Sequence, residues 1–113
     1  MALVQYIVVN SSLGMGKGKI AAQASHASVA VLEKVDDGAL EEWKDEGMKK
    51  VVLKVKDAEE LLALFEKAKR LFPCALITDA GKTQIEPGSK TCFACGPAEE
   101  NEAQKIFKDL KLL

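Results

Sequence analysis

The 113 residues read as one α/β domain, spanning 1–113: a mixed four-stranded sheet, three strands parallel and one antiparallel, flanked by helices in the order β-α-α-β-α-β-β-α. Three observations predict it. Four apolar runs have strand length, at Leu3 to Asn10, Lys50 to Val55, Cys74 to Thr78 and Thr91 to Cys95. The intervals between the first three carry helical periodicity, so those strands are expected to run parallel through right-handed crossovers. Only about eleven residues without a helical pattern separate the third run from the fourth, too few for an ordinary parallel crossover, so the fourth strand is expected to run antiparallel.

Leu3 to Asn10 is apolar on both alternating sets, Val4-Tyr6-Val8 and Leu3-Ile7-Val9, with only Gln5 interrupting, which marks a central strand buried on both faces. A loop from Asn10 to Met15 leads to a helix from Lys17 to Val35, ended by Asp36-Asp37-Gly38. A short helix, Ala39 to Glu46, sets Leu40 and Trp43 on one face and stops at Gly47. After the second strand, Asp57 with Glu60 three residues on forms a capping-box pattern. The helix it opens carries Leu61, Leu64, Phe65, Ala68 and Leu71 at i, i+3, i+4, i+7 spacing, a core stripe. Pro73 opens the third strand, Asp79 to Ser89 is turn-rich, and Gly96-Pro97 leads from the fourth strand into a last helix, Ala98 to Leu110, with Ile106, Phe107 and Leu110 inward. There is no repeat and no low-complexity tract.

The hydrophobic content of 48% and charged content of 29% are those of an ordinary soluble protein. No stretch approaches the roughly 20 apolar residues of a membrane span, and Met1-Ala2 leads directly into the first strand without room for a signal peptide, so a cytoplasmic protein is expected. The net charge of −1 argues at first against a nucleic-acid partner. The distribution qualifies this: up to Leu32 the only charges are Lys17 and Lys19, whereas Glu33 to Glu46 holds seven acids against two lysines. A local positive site survives the global balance. Cys92-Phe93-Ala94-Cys95 is formally a C-x-x-C, but residues three apart on a strand point to opposite faces, with Cα atoms roughly 10 Å apart, and neither bridge nor share a metal. Cys74, Cys92 and Cys95 therefore read as small buried hydrophobes.

The chemistry concentrates around Leu13-Gly14-Met15-Gly16-Lys17-Gly18-Lys19-Ile20-Ala21-Ala22-Gln23-Ala24-Ser25-His26-Ala27, a glycine-rich turn between the first strand and a helix. That order aims the free N–H groups of a helix N-terminus beyond the carboxyl edge of the sheet, a setting suited to an anion. The spacing fits neither a Walker loop nor the G-x-G-x-x-G fingerprint. At about 100° per residue, Ile20, Ala24, Ala27 and Val31 share one side of the helix, and Lys19, Gln23, His26 and Ala30 another. The second set is either a polar site face or a solvated face with one incidental histidine. The topology brings three segments to one rim: the glycine loop after strand one, Asp79 after strand three, and Thr91 at the start of an antiparallel strand four. Taken alone, Asp79 is also explained as a turn cap.

These residues resemble the signature of the type II peptidyl-tRNA hydrolases, the peptidyl-tRNA hydrolase 2 family. Gly47-Met-Lys-Lys-Val-Val-Leu-Lys-Val55, Asp79-Ala-Gly-Lys-Thr-Gln-Ile-Glu-Pro-Gly88 and Leu110-Lys-Leu-Leu113 also match, in order over essentially the whole chain. Some eukaryotic members carry an N-terminal membrane segment; its absence here fits the archaeal form or a trimmed chain. The resemblance implies hydrolysis of the ester of peptidyl-tRNA, releasing free tRNA and peptide and recycling peptidyl-tRNAs that drop off the ribosome, with no metal or cofactor. It implies Lys17, Asp79, Thr83, Thr91 and His26 as catalytic residues, and Gly16, Gly18, Lys19 and Gln23 as substrate-binding ones. In that scheme Lys17 stabilises the oxyanion and Lys19 meets phosphate, while His26 is catalytic or structural. A homodimer is implied as the assembly. The rival reading is a non-catalytic RNA- or protein-binding module on the same fold, which has no need for Asp79 at a basic rim.

Overall fold

A computed structural model describes residues 2–80, 86 and 88–113. The strands are β1 (Leu3–Asn10), β2 (Lys50–Val55), β3 (Cys74–Thr78), β4 (Lys90–Glu99) and β5 (Lys111–Leu112), and the helices α1 (Lys17–Ala30), α2 (Asp37–Asp45), α3 (Ala58–Lys69) and α4 (Glu100–Phe107). They form one five-stranded sheet in the order β3-β4-β1-β2-β5.

The α/β class and the helix-flanked mixed sheet match the sequence reading, but the strand count does not. A fifth strand arises just beyond the expected end of the last helix at Leu110: α4 itself stops at Phe107, and Lys111 and Leu112 pair antiparallel with Lys54 and Leu53. Two residues carry too little pattern to register as a strand, and only the exposed edge of β2 makes them one. β1, β2 and β3 share a direction, yet only β1 and β2 are hydrogen-bonded as a parallel pair, Gln5 facing Lys50 and Asn10 facing Val55. β4 lies between β1 and β3 and is antiparallel to both.

Three boundaries also move. The first helix gives way at Val31 to a 3-10 turn, Val31–Lys34. β4 runs on through Gly96 and Pro97 to Glu99, because the two residues bulge out of register opposite Gln5, between the Tyr6–Cys95 and Val4–Ala98 pairs. Gly96 has φ +96°, and a Cβ there would lie 2.7 Å from both Val4 O and Ala98 N, so the bulge requires glycine. Leu71 is exposed, and Phe72 packs against the core instead, since the helix has already ended at Lys69.

Two apolar layers hold the sheet. Val4, Tyr6 and Val8 of β1 pack with Leu53, Phe93 and Cys95 against Leu61 and Ala68 of α3 and Ala103 and Phe107 of α4. On the other face Ile7, Val9, Ala75, Ile77, Cys92 and Ala94 meet Ala27 of α1 and Val31 just beyond it. Cys92 and Cys95 thus point to opposite faces as expected, and all three cysteines are free and buried. Gln5, the one polar residue of β1, is buried beneath α1; its Nε2 donates to Ser28 O and Gly96 O, and its Oε1 accepts from Ser28 Oγ. Asp57 caps α3 by accepting from Glu60 N at 2.8 Å.

Candidate functional site

The carboxyl ends of β1 and β3 and the start of β4 share one rim, and the fold fixes it by polar ties. Asn10, buried at the end of β1, accepts through Oδ1 from Ser12 N and Ser12 Oγ, capping a 3-10 turn at Ser11–Leu13, and its Nδ2 donates to Lys90 O at 3.2 Å. The glycine loop is thereby fastened to β4. Gly14 takes φ +62° and closes that turn, and Gly16 precedes α1 with extended backbone, its carbonyl accepting from Ile20 N. A Cβ at Gly18 would meet nothing within 4 Å, so that position leaves open space at the head of the helix. No side chain caps α1 and no acid lies in its first turn, which leaves the first amide N–H groups available to an anion.

Asp79 follows β3 and is buried at 4% exposure. Its N–H donates to Ser89 O at 2.8 Å and its carbonyl accepts from Gly88 N at 3.1 Å, so backbone pairing holds the residue in place. The Lys19 ammonium donates to Asp79 Oδ1, with the two side chains only 9% and 2% exposed. In a pair so desolvated each charge depends on the other, and removing one partner is costly. Beside it, Thr91 Oγ1 donates to Gln23 Oε1 at 2.7 Å, and Cys92 Sγ donates to Gln23 O at 3.4 Å. Helix α1 is thus bound to β3 through Lys19 and to β4 through Gln23. Lys90 Nζ donates to Thr78 Oγ1 at 2.9 Å, placing another ammonium near the end of β3.

The structure therefore brings Lys19, Asp79, Gln23 and Thr91 together and leaves others apart. Lys17, expected to be the lysine at the reacting centre, is exposed and stands on the other flank of α1, at one end of an apolar groove of about 570 Å³ lined by Ile20, Ala21, Ala24, Val52 and Leu113. Of the two lysines it is Lys19 that reaches Asp79, because two helical residues turn about 200° and only Lys19 faces the end of β3. The His26 side chain is exposed and makes no hydrogen bond among the described residues. Thr83 lies outside the described residues. Asn10 was not singled out from the sequence, although an Asn followed by two serines at a strand end is a turn-capping signal. Among the described residues no group of three His, Cys, Asp or Glu side chains could hold a metal ion.

Comparison with known proteins finds similarity over nearly the whole chain. A family model described as "Peptidyl-tRNA hydrolase PTH2" matches residues 3–113. Among similar curated proteins, one named peptidyl-tRNA hydrolase from Methanopyrus kandleri is 52% identical over 112 residues, covering 96% of this chain and 97% of the relative. One of the same name from Methanococcus maripaludis strain C7 is 50% identical over 113 residues, and one from Halobacterium salinarum strain R1 is 49% identical over 109, each with the same coverage.

Proposed function

The chain belongs to the peptidyl-tRNA hydrolase PTH2 family, and from that premise we propose how its residues hydrolyse the ester of peptidyl-tRNA to free tRNA and peptide. The reading is carried by one observation, the buried Lys19–Asp79 ion pair at the loop-bearing rim. An ester between a peptide carbonyl and a ribose hydroxyl is already activated, so a positioned water and donors for the developing oxyanion suffice. Asp79 orients the water and takes its proton as the C–O bond forms. Lys19 holds Asp79 ionised and in place. The amide N–H groups in the first turn of α1 stabilise the tetrahedral oxyanion, and the bare backbone at Gly16 and Gly18 lets the carbonyl approach them. Collapse of that intermediate expels the ribose oxygen, which leaves with a proton as the tRNA hydroxyl.

Thr91, oriented by Gln23, holds the substrate or the water, and Thr83 is a second hydroxyl in that role on family resemblance alone. Lys17 meets a phosphate of the tRNA 3′ end from the open side of α1. His26, on the exposed flank beyond Gln23, contacts RNA rather than the reacting atoms. The substrate, released from ribosomes, places the protein in the cytoplasm; among the described residues no helix is long and apolar enough to cross a membrane. The assembly is a homodimer. Its apolar basis is the groove between α1 and β2, about 440 Å³ along Ile7, Ala21, Ala24, Val29 and Val52, where Val29 is 68% exposed. A sedimentation profile that is monomeric at micromolar concentration would remove the dimer from this reading.

The decisive measurement is single-turnover release of free tRNA from purified peptidyl-tRNA by Asp79→Asn. This variant keeps the shape but removes the base, and the rate is expected to fall roughly 10²-fold or more while uncharged tRNA still binds. A folded Asp79→Asn protein with near-parental turnover would falsify the role given to that carboxylate.

A further inference from the structure

Cys74 and Cys95 are direct partners in the antiparallel register of β3 and β4. Both are buried, and both belong to the layer beneath α3 and α4. The ladder decides how close they come. Gly96 N donates to Pro73 O at 2.9 Å, which makes 73 and 96 the hydrogen-bonded pair. The next pair, 74 and 95, is therefore of the non-hydrogen-bonded kind, in which Cα atoms stand only about 4.5 Å apart and side chains are nearest. That separation falls within the range of roughly 4.4–6.8 Å that a disulfide spans. Cys92 has no such partner: it faces the opposite layer, opposite Ile77 on β3 and Val9 on β1.

We propose that Cys74 and Cys95 form a latent oxidation site, at which a small-molecule disulfide such as oxidised glutathione converts the facing thiols into a cross-strand disulfide. The new bond closes 74–95, the segment that carries Asp79 and Thr91, into a covalent loop. Cys74 reacts first. It begins the edge strand β3, which opens more readily than the central β4. The hydrogen bond to Cys74, and then burial, push the Cys95 thiol well above the ordinary range. The Cys74 thiolate displaces one glutathione thiolate and forms a mixed disulfide. Cys95, losing its proton, then attacks the Cys74 sulfur and expels the second glutathione. Two protein thiols lose two electrons and two protons, and the reagent gains them as two thiols. Because both sulfurs are buried, the reaction proceeds at the rate at which the edge of β3 opens, making this a slow staple rather than a fast sensor.

The test uses the whole folded chain, incubated with oxidised glutathione, then denatured and alkylated without reductant. The expected product is about 2 Da lighter than the parent before alkylation, takes one alkyl group, on Cys92, and yields a Cys74–Cys95 linked peptide. Its melting temperature rises by roughly 10 °C, and reductant reverses the rise. Cys92→Ala still forms the bond, whereas Cys74→Ala and Cys95→Ala do not. A folded parent that retains three alkylatable thiols, a stable glutathione adduct that never closes, or a bond involving Cys92 would each overturn the proposal. The parent's own disulfide map decides the matter even where a variant fails to fold, and none of these readouts depends on the catalytic roles assigned above.

Discussion

Lys17 and Lys19 are separated by one glycine, yet only the second reaches Asp79, and the difference predicts opposite behaviour on substitution. Lys19→Met removes the ammonium paired with the buried Asp79 carboxylate, so stability is expected to fall by about 2–4 kcal/mol and turnover with it. Adding Asp79→Asn to Lys19→Met should recover part of that stability without recovering activity, since the buried charge is gone but so is the base. Lys17→Met, at an exposed position, should leave stability within about 0.5 kcal/mol and raise KM rather than lower kcat. Chemical denaturation and steady-state kinetics on the four proteins check the pattern; equal losses of kcat in both single variants would return Lys17 to the reacting centre. A second residue-level test is Tyr6, stacked on Phe107 with ring centroids 4.7 Å apart and its buried hydroxyl without a hydrogen-bond partner among the described residues. Removing an unsatisfied buried hydroxyl relieves a desolvation cost, so Tyr6→Phe is expected to stabilise the protein by about 1 kcal/mol in the same denaturation assay.

At the scale of elements, what could be read from the sequence was whatever depends on local pattern. The two-faced burial of β1, the stripe on α3 as far as Ala68 and the Asp57 cap follow from residue pattern and from residue type at a helix start, whereas Leu71, placed on that stripe, falls beyond the end of the helix and is exposed. The antiparallel β4 was legible because connection length limits how a strand can return. What stayed hidden is set by distant partners. The bulge at Gly96 requires glycine because Val4 O and Ala98 N crowd the position, and β5 exists because β2 offers an open edge. Lys19 could not be separated from Lys17 until β3 had a position beside α1. The bulge gives its own prediction: Gly96→Ala combines a positive φ with a Cβ 2.7 Å from two backbone atoms, neither of which can yield as a flexible side chain would. Its cost should be about 3 kcal/mol or more. Gly18→Ala, in open space with ordinary helical geometry, should cost the fold nothing and stabilise α1 slightly, by under about 1 kcal/mol. If Gly18→Ala nevertheless raises KM, the open space there serves the ligand.

For the whole molecule, the question is how a chain of net charge −1 engages a polyanion. Away from the rim three lysines are matched to acids, Lys49 with Glu100, Lys69 with Glu66 and Lys105 with Glu102. At the rim Lys19 is paired with Asp79, but three other lysines are not matched to an acid among the described residues. Lys17 at the head of α1 and Lys56 beyond the end of β2 have no ion-pair partner among the described residues, and Lys90 is tied only to the neutral Thr78 hydroxyl. Three such ammonium groups along one edge, in a molecule of net charge −1, give a short-ranged attraction confined to that edge. Each phosphate they neutralise releases counterions, so log kcat/KM should fall against log salt with a slope between about −2 and −3. Lys56→Gln or Lys17→Gln should each flatten the slope by about 1, while Lys69→Gln should leave it unchanged. A parent slope near zero, or a Lys69→Gln effect equal to that of Lys56→Gln, would mean that tRNA does not lie along this rim.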